Sequence, residues 1–156
     1  MSSAFKGGLH RFVPLLVIVF SSFFFQQNAE AQVTNKRQMA VEGDSVWVII
    51  NHVKPGKREQ FEKFLHEIFW PMASKLTVEE QQLFKQTRIL HPTGPEEDGT
   101  YSYVFIMDPL VTGGNYGITS LLRKQYGEEQ GAAYAKMFDD AQARPQKIYS
   151  LVQSKH

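Results

Sequence analysis

The chain is predicted to take an α+β fold on three observations. Four runs read as short strands: residues 45–53, 86–91, 101–107 and 147–153. An amphipathic helix separates the first run from the second, and a longer helical region separates the third from the fourth. The strongest runs are apolar on both faces. The order β-α-β-β-α-β is the split βαβ, or ferredoxin-like, arrangement: a four-stranded antiparallel sheet with helices on one face.

The first residues stand apart from this pattern. Lys6 and Arg11 form a basic start, residues 12–25 carry no charge, and Ala29-Glu30-Ala31 places small residues after the apolar run. That order is the signature of a cleaved secretory signal. A membrane-spanning helix would want about 20 apolar residues, and this run is shorter and contains Pro14. Cleavage is expected near Ala31-Gln32, giving an exported protein, periplasmic or secreted, with no membrane segment after processing. Removing the first 31 of 156 residues takes away Lys6, Arg11 and Glu30, leaving 125 residues with 15 basic and 15 acidic side chains. Zero net charge gives no footprint for nucleic acid. With no cysteine, disulfides, thiol catalysis and Cys-ligated metals are all excluded.

Each element follows in order. Residues 32–44 are polar and without period, so they read as a flexible leader, and the domain spans 45–156. Ser45-Val-Trp-Val-Ile-Ile-Asn-His-Val53 is β-branched and aromatic, hence a strand, and Lys54-Pro55-Gly56 turns the chain. Phe61, Phe64, Leu65, Ile68 and Met72 then lay one apolar stripe along a helix. Pro71 is expected to kink or end that helix, because it lacks an N–H and crowds the preceding turn. Thr77-Val-Glu-Glu80 is a capping box that starts a second short helix. Residues 86–91 and 101–107 form a hairpin about a long polar turn. A loop containing Gly113-Gly114-Asn115 leads into a helical region over about 119–143, which Gly127 is expected to divide. Residues 147–153 close the sheet.

The two-sided apolar pattern has a consequence. Val46, Val48 and Ile50 oppose Trp47 and Ile49 on the first strand, while Val104 and Ile106 oppose Tyr101, Tyr103, Phe105 and Met107 on the third. Helices can cover only one face. The other would be a large bare apolar patch, so a homodimer packed sheet to sheet is expected.

The stretch from Val46 to Phe69, a strand followed by Val-Lys-Pro-Gly-Lys and a helix opening at Glu59-Gln-Phe-Glu62, resembles the start of dimeric α/β-barrel proteins, including the antibiotic-biosynthesis monooxygenase-like family. The resemblance implies an eight-stranded barrel built from two protomers and a small apolar or aromatic ligand between sheet and helices. In some members it implies cofactor-independent oxygenation of quinol-like substrates. Other members degrade haem with an axial His on the helical region after the third strand. Here no His or Trp lies between Asp108 and Gln146, so that branch fits poorly.

No catalytic motif stands out. Gly-x-Ser-x-Gly is absent, and Gly113-Gly-Asn-Tyr-Gly117 matches no phosphate loop. Glu62 and His66 share a helix face, but no third ligand is spaced to complete a metal site, so no metal is expected. No cofactor is expected either. The candidate ligand-binding residues are His52 at a strand end, His66 and Trp70 at i,i+4 on the first helix, Tyr103 on the third strand and Tyr116 in the glycine-rich loop. Tyr103 ranks first, since a tyrosine hydroxyl facing a cavity would orient a ligand. The reading is an exported homodimer that binds a small apolar or aromatic molecule. Its rivals are a cofactor-independent monooxygenase acting on a quinol and a non-catalytic structural or interaction module.

Overall fold

The computed structural model describes residues 37–155. The proposed export signal and the start of the leader lie outside the described residues. Strand β1 (Ser45–Val53) leads through a one-turn 3-10 segment at Pro55–Lys57 into helix α1 (Arg58–Lys63). That helix continues as a π segment over Phe64–Phe69, as α2 (Trp70–Met72) and as a final 3-10 turn at Ala73–Lys75. Helix α3 (Val78–Gln86) runs directly into β2 (Thr87–Leu90), and β3 (Tyr101–Met107) follows. Helices α4 (Ile118–Tyr126) and α5 (Glu128–Ala141) precede β4 (Lys147–Val152).

The sheet order is β2-β3-β1-β4, with every neighbouring pair antiparallel. This is the ferredoxin-like α+β arrangement. The register places Ile49 opposite Phe105 and Asn51 opposite Tyr103, so the inward rows of β1 and β3 share one face. Ile49, Asn51 and Val53 are buried there, as are Tyr103, Phe105 and Met107.

The stripe expected on the first helical run is the core. Phe61, Phe64, Leu65 and Met72 are wholly buried and Ile68 nearly so. Each such side chain removed from water stabilises the fold by roughly 1.5–3 kcal/mol. Pro71 does not end this run, which continues to Lys75. The residues before it widen into a π turn, in which the Trp70 N–H reaches back five residues to the Leu65 carbonyl. The wider turn accommodates a residue that has no N–H to return and a ring that needs room. The Tyr126 hydroxyl donates to the Ile68 carbonyl at 3.0 Å and so pins this irregular stretch from α4.

The other punctuation is as expected. Thr77 accepts from the Glu80 N–H at 3.3 Å while Glu80 accepts from the Thr77 N–H at 3.1 Å, a complete capping box. Gly127, at φ +81°, separates α4 from α5 in a conformation that glycine takes without penalty. Gly131 lets the two helices meet: a Cβ there would lie 2.5 Å from the Arg123 Cα.

The described end of the leader is tied to the sheet. Ala40 donates to the Asp108 carboxylate at 2.8 Å, Gly43 donates to the Gln153 carbonyl at 3.0 Å, and Gln153 donates to the Asp44 carbonyl at 2.9 Å. Asp108 is buried and also receives Arg88 at 2.9 Å, so one carboxylate joins this segment to β2. No helix among the described residues is long and apolar enough to cross a membrane.

The outer sheet face is as apolar as its sequence implies. In register, Arg88, Ile106, Val48 and Tyr149 make one row and Leu90, Val104, Ile50 and Lys147 the next. Strand β4 is uncovered on both faces: Ile148 is 52% exposed and Val152 67% on the helix side, Tyr149 37% and Leu151 47% on the other.

Candidate functional site

One half of the layer between sheet and helices is hollow. A cavity of about 400 Å³ lies over the half of the inner face where β1 begins and β3 ends. Its floor is Ile49, Phe105, Met107 and Thr87. Phe69 and Trp70, at the end of the π turn, make one wall together with Leu83 and Phe84 of α3. The rings interlock: Phe69 and Phe84 are 5.2 Å apart between centroids, and Trp70 meets Phe84 edge-on at 5.3 Å. Ile118 and Leu121 of α4 and Phe138 of α5 complete the apolar lining. Cavities of this size and character are typical of small-molecule sites.

The glycine-rich loop forms the mouth. Tyr116 lines the cavity, its ring 5.7 Å from that of Trp47, and its hydroxyl accepts from the Val111 N–H at 2.9 Å. Burial pushes its phenol pKa up, so it stays protonated and keeps a donor. Gly114 is required here: a Cβ would lie 2.4 Å from a Leu83 methyl. Asn115 accepts from the Gly117 N–H at 3.0 Å and donates to the Ser120 hydroxyl at 2.7 Å, which holds the loop against the start of α4. Asp139 and Gln146 contribute polar groups from the α5–β4 corner, and Gln146 donates to the buried Asn51 side chain at 2.7 Å.

Of the five residues singled out from sequence, Trp70 and Tyr116 line this cavity. The other three lie elsewhere. The Tyr103 side chain is buried, but its hydroxyl is spent on the Glu62 carboxylate at 2.5 Å, and Phe61 packs on its ring at 4.7 Å. Arg58 reaches the same Glu62 oxygen at 3.0 Å and lies over the Tyr101 ring. The Tyr103 hydrogen bond chiefly holds the Glu62 carboxyl below its ordinary range; burial, and then Glu62, pushes the Tyr103 phenol up to about 12. His66 is exposed and stacks on His91 at 5.3 Å, and His91 in turn meets Tyr103 edge-on. His52 faces Arg144 at 2.9 Å and Ser102 at 3.3 Å; burial first, then the Arg144 charge, lowers its pKa. These three therefore belong to side-chain networks of their own and do not line this cavity. Among the described residues no group of three His, Asp or Glu is arranged to hold a metal ion.

Sequence reasoning missed Phe69, Phe84, Asp139 and Gln146. Phe84 had a usable signal, since Leu83 and Phe84 are the apolar pair of the helix that the capping box starts. Phe69 had one as well, since it lies four residues after Leu65 and three before Met72, on the same helical stripe.

Comparison with family models finds no match to the chain. Comparison with curated proteins finds none either. Among solved structures, the chain is similar to a protein of Caulobacter crescentus provisionally described as an antibiotic biosynthesis monooxygenase. The two are 17% identical with a TM-score of 0.40, over 73% of this chain and 92% of that one. The ferredoxin-like fold stands on this chain's own strand order and register.

Proposed function

We propose that this protein binds a small, mostly apolar or aromatic molecule in the cavity between sheet and helices, as an exported homodimer. The observation that carries the binding reading is the hollow itself. Large aromatic side chains surround about 400 Å³ that they could have filled, whereas protein interiors are otherwise close-packed. Export rests on the N-terminal pattern of basic residues, apolar run and small residues.

Binding is tested with an environment-sensitive naphthalene dye, followed by dye emission and by quenching of the two tryptophans, Trp47 and Trp70. The expected result is saturable binding. Leu121→Phe adds ring volume into the cavity and should weaken that binding about tenfold with the far-ultraviolet spectrum unchanged. Affinity untouched by this substitution overturns the site. Oxygen uptake measured with a panel of quinols in the same protein separates binding from turnover.

The dimer reading is supported by the outer sheet rows and by β4, which is bare on both faces. A second copy packed sheet to sheet covers Val48, Ile106 and Tyr149 and wraps the β4 edge at once. Ile106→Lys should convert a dimer to a monomer in sedimentation without unfolding it. A wild-type monomer at every concentration would refute the assembly.

A further inference from the structure

We propose that the cavity selects an aromatic amine: a flat apolar ring system carrying a protonated nitrogen, seated with that nitrogen at the α5–β4 corner. The inference rests on the binding reading above and names the ligand class.

Three observations lead to it. The cavity wall contains no lysine, arginine or histidine, and its single charged residue is Asp139. A ligand carboxylate or phosphate entering it would lose water and find no cation, a costly exchange. A protonated amine would find Asp139 at the rim and aromatic faces at Trp70 and Tyr116, both favourable to a cation.

The second observation concerns Asp139 itself. It lies in the last turn of α5, where the helix dipole disfavours an acid and where no basic residue compensates. Its neighbour Asp140 is neutralised by Lys136, at 2.7 and 2.8 Å. The Asp139 carboxylate has no ion pair or side-chain hydrogen bond among the described residues. Asp139 is exposed at the cavity rim, and an acid placed there against the helix dipole is the kind of local conflict that marks a functional position.

Third, the cavity lining holds a second free acceptor. Gln146 spends its amide nitrogen on Asn51 and keeps its oxygen free, within the same lining as Asp139. An ammonium brings three donors and no acceptor, which matches a lining that offers a carboxylate and a free amide oxygen.

The test uses three probes of one ring system: 1-naphthylmethylammonium, 1-naphthalenemethanol and 1-naphthoate. Each is titrated into the full protein at neutral pH and read by tryptophan quenching and calorimetry. The ammonium should bind best and the carboxylate worst, with a spread of about tenfold, since a rim charge acts through solvent. In Asp139→Asn the spread should fall to within about twofold while the neutral alcohol keeps its affinity. Equal affinities in the wild type, a preference for the carboxylate, or a spread that survives Asp139→Asn would each overturn the amine assignment while leaving the cavity as a site. If none of the three probes binds, the amine assignment and the cavity reading fail together.

Discussion

Two regions of the same strand face behave oppositely. Tyr103 and Phe105 are neighbours on the inner row of β3, both buried. Over Tyr103 the layer is solid: Phe61 sits on the ring, Glu62 takes the hydroxyl, and Arg58 closes the network. Over Phe105 the layer is open, because the π turn and α3 present rings that meet one another around a void. The residue that looked most able to orient a ligand stands where a helix has already satisfied it. The plain phenylalanine next in its row faces the space. A polar group on an apolar face is more often consumed by its own fold than left for a guest.

The sharpest way to break this contrast is to truncate both halves. Phe61→Ala should cost about 3–5 kcal/mol, because it empties a packed site. Phe105→Ala, which enlarges a void already present and loses contacts on fewer sides, should cost about 2–3 kcal/mol. Urea unfolding of the two variants gives the comparison directly, and equal costs would mean that the two halves are packed alike.

A smaller effect tests the network. Tyr103→Phe removes one hydrogen bond to a charged group and should destabilise by about 1.5–3 kcal/mol at pH 7. It should leave naphthalene dye binding unchanged, since Tyr103 does not line the cavity.

The smallest effect lies in the pH dependence of that loss. The folded Glu62 carboxyl titrates below its ordinary 4.5, so its contribution is complete above that pH and disappears as the solution is acidified through the lowered value. The Tyr103 phenol is raised from 10.0 to about 12, so its contribution is complete below pH 10 and disappears as pH climbs toward 12. The gap between wild type and Tyr103→Phe should therefore be widest between these limbs and narrow at both ends. Urea midpoints across pH 3–11 that keep a constant gap would contradict the network.

Much of the fold was legible because its signals are local. The β-branched, aromatic run Ser45–Val53, the stripe from Phe61 to Met72, the capping box at Thr77 and the break at Gly127 each report a backbone preference within a few residues. The site was legible only in part. Trp70 and Tyr116 were found by residue type, and both line the cavity. Tyr103 misled because its partner Glu62 lies 41 positions away, and a spacing of that length carries no periodic signal. Phe69 lay on the helical stripe, four residues after Leu65, but a stripe position marks burial and does not say which buried ring borders a void. Asp139 was overlooked because an acid on an exposed helix face is ordinary until the structure shows the wall it stands on.

Strand β4 carries a different consequence. Lys147–Val152 is at the end of the sheet, rich in β-formers, free of proline and charged only at Lys147, whose ammonium lies over the Tyr149 ring. A six-residue edge of this composition is a template for strand addition. Dissociation of the proposed dimer should therefore leave a folded monomer that aggregates slowly through this edge. Lys147 stands as the gatekeeper that slows it. The shelf life of the protein in dilute solution would then be governed by this one edge more than by the strength of its core.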